Sequence, residues 1–418
     1  MVETHAPDRW APGSPGRPAL ARCINVPVDD FTAGYWGRAA LLSPVETLPG
    51  DFSDLLDLAA VDELLSRRGL RTPFLRLAKD GQVVPTGRFT RGGGAGAAIG
   101  DQVADDRVLD LVVDGSTVVL QGLHRTWPPL VDFGTQLAVD LGHPVQVNAY
   151  VTPPQSQGFS PHYDVHDVFV LQVAGEKHWT IHEPVLQAPL RDQPWTDRRD
   201  AVRERAAEPP VIDAVLRPGD ALYLPRGYLH SARALGGVSA HLTVGVHAVT
   251  RAAVAEALLA AAGDQADLRA SLPLGLDLSD GESLREEVAA TVRALVSRLE
   301  SAGPDEVASA LRRTVWPQTR PEPVGPLAVA DAVARLDKGR RVRARLGVRA
   351  HVRTGGGGVE ADLGDRVVTL PAGSADAVRT LLGGGVVVVG ELPELTVDEQ
   401  VELVRRMLRE GLVVPVEA

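Results

Sequence analysis

Between Val118 and Val249 the chain is written in short β-rich runs separated by Gly, Pro and Asp, and no other feature restricts its fold as much. The runs are Val118-Val-Leu, Val145-Gln-Val-Asn-Ala-Tyr-Val, Val168-Phe-Val-Leu-Gln-Val, His178-Trp-Thr-Ile and Ala240-His-Leu-Thr-Val-Gly-Val. Their β-branched and aromatic side chains suit a pleated surface, and the residues between them reverse the chain. Several such runs at close spacing predict an all-β barrel or sandwich.

The flanks read differently. Residues 1–25 are rich in Pro and Gly and predict a loose arm. From Phe31 to about Leu70 the pattern is helical, with an amphipathic start at Phe52-Ser-Asp-Leu-Leu-Asp-Leu-Ala-Ala. Helical periodicity returns at 251–262 and 282–311, where Leu284, Val288, Thr291, Leu295 and Leu299 form a stripe. That stripe is either core packing within the subunit or a dimerisation surface. After Pro317 a small α/β region follows, with strands expected at 349–353, 359–363, 366–370 and 412–416 and helices at 374–382 and 397–409. Thr396 with Glu399 makes a capping box for the last helix. At 418 residues, two or three domains are expected. They divide as 26–250 with a barrel core at about 118–249, 251–317 helical, and 318–418 winged-helix-like.

Charge and cysteine content exclude several classes. A net charge of −11 and a pI near 5.5 argue against a general polyanion binder, which needs a basic surplus. The basic stretch 338–349 reads better as a solvated strand or helix face than as a nucleic-acid patch, so nucleic acid is not expected as a direct substrate. A single cysteine, Cys23, permits no intramolecular disulfide. The first residues lack the basic and apolar regions of a secretory signal, and no apolar run approaches the ~20 residues that span a bilayer. A reduced cytoplasm is the expected setting, with no membrane partner.

The β-rich segment also concentrates chemistry. Nine of the 11 histidines fall between His124 and His247. His162-Tyr163-Asp164 places an imidazole and a carboxylate two residues apart, on one side of a strand if the segment is extended. A second imidazole, His230, ends the turn-rich run Pro218-Gly-Asp-Ala-Leu-Tyr-Leu-Pro-Arg-Gly-Tyr-Leu-His230. Two His and one carboxylate make the facial triad that holds non-haem Fe(II) and leaves open positions for co-substrate and O2.

Gly219, Pro225, Gly227 and His230 fit the second cupin motif, G-x5-P-x-G-x2-H, although the asparagine often found four positions later is replaced by Ala234. With His162-x-Asp164, this resembles the JmjC/cupin family of 2-oxoglutarate-dependent oxygenases. Within it the segments 148–162, 168–177 and 222–230 are most similar to the ribosomal oxygenase group of protein hydroxylases. The resemblance implies a double-stranded β-helix (cupin) barrel with flanking helices, a helical dimerisation region and a winged-helix-like end. His162, Asp164 and His230 would be both metal ligands and the catalytic centre. Lys177, 15 positions after His162, would bind the distal carboxylate of 2-oxoglutarate, where a dicarboxylate entering a barrel demands a cation. Asn148, Tyr150 and Thr243 would line the co-substrate pocket, although Tyr150 could equally be a core aromatic.

The implied reaction is hydroxylation of a side chain in a protein or peptide, with a basic ribosomal protein as the expected target, and release of succinate and CO2 by a homodimer. The alternatives are a small-molecule or peptide natural-product hydroxylase on the same core and a non-catalytic metal-binding cupin. Residues 91–100 and 183–210 are the loops expected at the barrel mouth. A Gly-rich phosphate cradle at 91–96 is disfavoured because no following helix carries Lys-Ser/Thr.

Overall fold

The computed structural model describes residues 17–416 except 80, 97, 155, 157–159, 264, 356 and 357. The chain divides into two compact units, one ending at Ala248 and the other starting at Val249.

The first unit is built on a nine-stranded sheet, every described pairing of which is antiparallel. In chain order its strands are β1 (Leu41–Ser43), β2 (Leu75–Lys79), β3 (Gln82–Val83), β6 (Thr117–Leu120), β7 (Val145–Thr152), β8 (Asp167–His182), β9 (Ile212–Leu216), β10 (Ala221–Leu224) and β11 (Leu229–Val246). Short β4 (Thr90–Arg91) and β5 (Gln102–Val103) form a separate ribbon. The main sheet runs β1-β10-β8-β11-β7-β6-β2-β3, with β9 against β8. It therefore reaches beyond the expected core of 118–249 to recruit β1, β2 and β3.

Two strands dominate. The runs expected separately at 168–173 and 178–181 are one strand, β8, and His230 lies on the same strand as the run 240–246, β11. Gly175 and Gly236-Gly237 look like breaks in sequence but act as bends inside continuous strands. Gly175 has φ +59°, and a Cβ there would lie 2.2 Å from the Val238 carbonyl oxygen, so only glycine allows this approach. The ladder between β8 and β11 shifts register here, between the Leu235 and Ala240 pairings. A straight strand of this length would span about 50 Å at ~3.3 Å per residue. Yet His230, paired with Ile181 near the end of β8, lies 3.8 Å from Asp164, which precedes the start of β8. The bend folds one ladder into two walls.

One face of the sheet, including Val147, Ala149, Phe169, Leu171, Leu242 and Val244, is buried in a core shared with the helices Leu58–Arg67, Asp105–Val113 and Pro128–Leu141. The helical pattern expected from 31 to 70 resolves into a π-helical turn at Phe31–Tyr35, the strand β1, a 3-10 turn at Val45–Thr47 and the one α-helix Leu58–Arg67, capped by Asp57. Phe52, Leu55 and Leu56 are buried ahead of it without forming a helix. The described part of the expected loose arm is packed rather than loose. Ala19, Leu20, Cys23 and Ile24 are buried, and the backbone N–H groups of Ala19 and Leu20 donate to the Asp140 carboxylate at 2.8 and 3.0 Å. Residues 1–16 of that arm lie outside the described residues.

The second unit holds the helices Arg251–Ala262, Arg285–Ser301 and Pro304–Val315, then an α/β part in the same unit. Gly303-Pro304 divides the single helical stretch expected over 282–311, because proline cannot continue a helix but suits a first turn. The α/β part contains a meander of β13 (His351–Gly355), β14 (Gly358–Asp362) and β15 (Val367–Leu370), and a second sheet ordered β16 (Val386–Val388), β12 (Arg341–Ala344), β17 (Val413–Pro415). Helices Pro326–Ala334, Ala375–Leu382 and Val397–Arg409 contribute to its core, and the capping box of Thr396 and Glu399 is formed. The basic stretch supplies β12. Arg343 pairs with Glu322 at 2.6 Å and Arg345 donates to backbone carbonyls of Glu322 and Gly411, so these guanidinium groups serve their own unit.

Candidate metal centre and its cavity

His162, Asp164 and His230 meet with one ligand atom from each within 4.8 Å of the others. His162 and Asp164 are not on a regular strand, as the H-x-D spacing suggested. They lie in the connection between β7 and β8, after Pro161. Extended geometry is kept by a two-bond bridge: the His162 N–H donates to the His230 carbonyl at 3.2 Å, and the His230 N–H to the His162 carbonyl at 2.8 Å. The Gly227 N–H also donates to the Asp164 carbonyl at 3.0 Å. Gly227 has φ +95°, and a Cβ there would lie 2.6 Å from the Leu186 carbonyl oxygen, which explains that glycine of the distal motif.

The groups that orient the imidazoles are backbone carbonyls. His162 Nδ1 lies 2.8 Å from the Ser160 oxygen and His230 Nδ1 3.2 Å from the Tyr228 oxygen. A carbonyl only accepts, so each Nδ1 carries a proton, and Nε2 is the ring atom left to face a metal. Burial, reinforced by His162, pushes His230 down to about 4, which keeps it a neutral ligand at physiological pH. Burial alone would raise Asp164, but His230, His166 and His162 outweigh it and hold the carboxyl below its usual range. This donor set, two imidazoles and one carboxylate, fits a facially bound divalent ion.

The triad opens into a cavity of about 340 Å³. Of the residues expected there, Lys177, Tyr150 and Thr243 line it. Asn148 does not: its amide oxygen accepts the Gly122 N–H at 3.0 Å, bracing the turn before the helix Leu123–Thr126. Gln155 and residues 157–159, in the segment that carries the family resemblance, lie outside the described residues. Lys177 is 3% exposed, and its Nζ is 2.9 Å from Thr152 Oγ1 and 3.1 Å from His241 Nδ1. Burial pushes its ammonium down to about 7. Burial, then the Asp164 charge, raises Tyr150 to about 12, and its hydroxyl bonds with Arg76.

Thr152, Trp179, His241, Arg76 and Trp195 also line the wall and were not anticipated. Three of them obey strand alternation: Thr152 follows Tyr150 by two, Trp179 follows Lys177 by two, and His241 precedes Thr243 by two. The cavity face changes parity on β8, from Val168 and Val170 to Lys177 and Trp179, across the bend at Gly175. Of the two expected mouth loops, 183–210 contributes Trp195, whose ring is 6.3 Å from that of His162. The loop 91–100 does not; Arg91, Gly92, Gly93 and Gly94 border a separate hollow, and Gly81 stands at the main cavity instead. His124, outside the cavity, has a structural contact: its Nδ1 accepts the Val147 N–H at 3.0 Å.

Residues 134–254 match the JmjC domain family model. The chain is 29% identical over 309 residues to the bifunctional lysine-specific demethylase and histidyl-hydroxylase NO66 of Aedes aegypti, covering 68% of this chain and 46% of that protein. It is 36% identical over 171 residues to ribosomal oxygenase 1 of Homo sapiens, covering 38% and 26%. The chain thus spans less than half the length of these curated relatives. Among solved structures it is similar to Escherichia coli ycfD, with a TM-score of 0.54 at 16% identity, over 94% of this chain and 99% of that one. A structure of the same ribosomal oxygenase in complex with cobalt and 2-oxoglutarate aligns with a TM-score of 0.51 at 14% identity, over the same shares. The fold is that of JmjC/cupin proteins.

Proposed function

We propose that this chain, which carries a JmjC domain and resembles the ribosomal oxygenases, is a 2-oxoglutarate- and Fe(II)-dependent dioxygenase. It would hydroxylate a side chain of a protein or peptide, with release of succinate and CO2. The observation that carries the reading is one cavity wall bearing both a two-histidine, one-carboxylate triad and a buried lysine. His162, Asp164 and His230 would hold the ion, which when bound would couple oxidative decarboxylation of 2-oxoglutarate to C–H hydroxylation. Lys177 would neutralise the distal carboxylate, Thr243 and Tyr150 would bound the co-substrate, and Trp195 would shield the metal side from water. The complexed cobalt and 2-oxoglutarate named for a structural neighbour support this assignment of cofactors. A basic ribosomal protein in the cytoplasm is the target we favour, supported by the names of the similar proteins and the chain's net charge of −11. No described helix is long and apolar enough to cross a membrane.

The test is iron-dependent succinate formation from 2-oxoglutarate, followed by mass spectrometry of ribosomal proteins from cells with and without the gene. Metal binding without succinate formation would leave a non-catalytic cupin. Succinate formation with no protein losing an oxygen would leave a small-molecule hydroxylase.

Lys177 sets a pH dependence. Its ammonium is held at about 7, so the charged form is lost as pH rises through that value, while a bound carboxylate favours it. The dissociation constant for 2-oxoglutarate should therefore rise by about tenfold per pH unit above 7, and Lys177→Arg should flatten the profile. An affinity unchanged between pH 7 and 9 in the unaltered protein would contradict this.

We also read the helix Arg285–Ser301 as a homodimer face. It contains no buried residue, and Val288, Val292 and Val296 are 55, 51 and 48% exposed on successive turns. Val292→Glu should convert a dimer to a monomer in light scattering; a monomeric unaltered chain would end this reading.

A further inference from the structure

We propose that His241 is a positioning residue for the co-substrate, acting as the second of two anchors that aim the Lys177 ammonium into the cavity. The inference rests on the dioxygenase reading above. An ammonium has three N–H donors. Two of those on Lys177 are committed, one to Thr152 Oγ1 at 2.9 Å on β7 and one to His241 Nδ1 at 3.1 Å on β11. With two directions of a tetrahedral group fixed, the third has one orientation left, and Lys177 borders the cavity. A lone lysine stem would lose that direction through rotamer freedom.

His241 is itself held rigidly. It is 5% exposed, its ring lies parallel to that of Tyr150 with centroids 5.2 Å apart, and the Trp179 ring meets it edge-on at 5.2 Å. Trp179 in turn lies 6.2 Å from the His230 ring. A row of rings, His230, Trp179 and His241, thus connects the metal ligands to the anchor on one wall. Because Nδ1 accepts from the ammonium, the His241 proton belongs on Nε2. Burial, then the Lys177 charge, keeps this imidazole neutral and so an acceptor. Tyr150, Arg76 and the triad are the other titratable groups on the cavity wall, and none hydrogen-bonds Lys177 among the described contacts.

His241→Phe keeps a flat ring and removes the acceptor, whereas His241→Asn restores an acceptor near the Nδ1 position. Titration calorimetry of 2-oxoglutarate into the full chain loaded with Mn(II) reads affinity without turnover. His241→Phe should weaken binding by at least about tenfold, the scale of one hydrogen bond to a charged group. His241→Asn should recover to within about threefold of the unaltered chain. With Fe(II), the KM for 2-oxoglutarate should rise more than kcat falls. If His241→Phe does not fold, His241→Leu takes its place in the comparison. Unchanged affinity in the acceptor-less variant, or a His241→Asn as weak as it, would overturn the proposal. Failure of the unaltered chain to bind 2-oxoglutarate would instead overturn the dioxygenase reading itself.

Discussion

Asp164→Ala should reduce 2-oxoglutarate turnover to below about a hundredth of the unaltered protein, since even groups supporting a metal ligand cost 10–100-fold when removed. Asp164 supplies the one carboxylate of the triad beside two imidazoles, with its oxygen 3.8 Å from His230 Nε2. Its loss leaves two donors and no charge to offset a divalent ion. The backbone at this position would keep its bond, because Gly227 N–H donates to the Asp164 carbonyl rather than to its side chain. A melting temperature close to that of the unaltered chain, together with lost iron by elemental analysis, would separate a ligand role from a folding defect. Full succinate production by Asp164→Ala would remove the triad assignment.

Replacing Asp167 should damage the fold rather than only the chemistry. Its carboxylate is fully buried and accepts from the Tyr223 hydroxyl at 2.9 Å and from the Arg226 N–H at 3.0 Å, with the Arg226 guanidinium at 3.3 Å. These contacts fasten the start of β8 to the Pro225-Arg226-Gly227 turn that delivers His230. Asp167→Ala would leave a mostly buried guanidinium uncompensated and two donors without an acceptor, a loss of about 3–5 kcal/mol. Asp167→Asn, which retains one acceptor, should lose less. Urea unfolding with equal midpoints for all three proteins would show that the ion pair is dispensable. Weaker metal binding in Asp167→Asn than in the unaltered chain is expected as well, because the turn before His230 is loosened.

Much of the site was legible because its chemistry is local in sequence. His162, Asp164 and the Gly219 to His230 motif sit at short spacings, and Lys177 follows on the next strand. What escaped was of two kinds. Thr152, Trp179 and His241 are one strand step from residues already singled out, so alternation alone would have found them. Arg76 and Trp195 come from β2 and from the 183–210 loop, and no pattern links those segments to the triad before the chain is folded. Asn148 shows the converse: it shares a strand face with Tyr150, but its amide oxygen accepts from Gly122 and it is not among the residues bordering the cavity. Glycines misled the strand boundaries, because Gly175 bends a continuous strand while looking like its end. The division of 282–311 at Gly303-Pro304 was written plainly, and the stripe Leu284 to Leu299 obscured it by running almost up to the break.

The bend at Gly175 also governs how this protein can come apart. His230 and the residues flanking Asp164 lie toward opposite ends of a single strand pair, so the site has no private hinge. His162 and Asp164 are tied to the start of β11 by the bridge between His162 and His230, so the ligand geometry depends on the ladder that holds β11 against β8. Amides of β8 and β11 on either side of the bend should accordingly share one opening free energy in hydrogen exchange, the signature of a single cooperative unit.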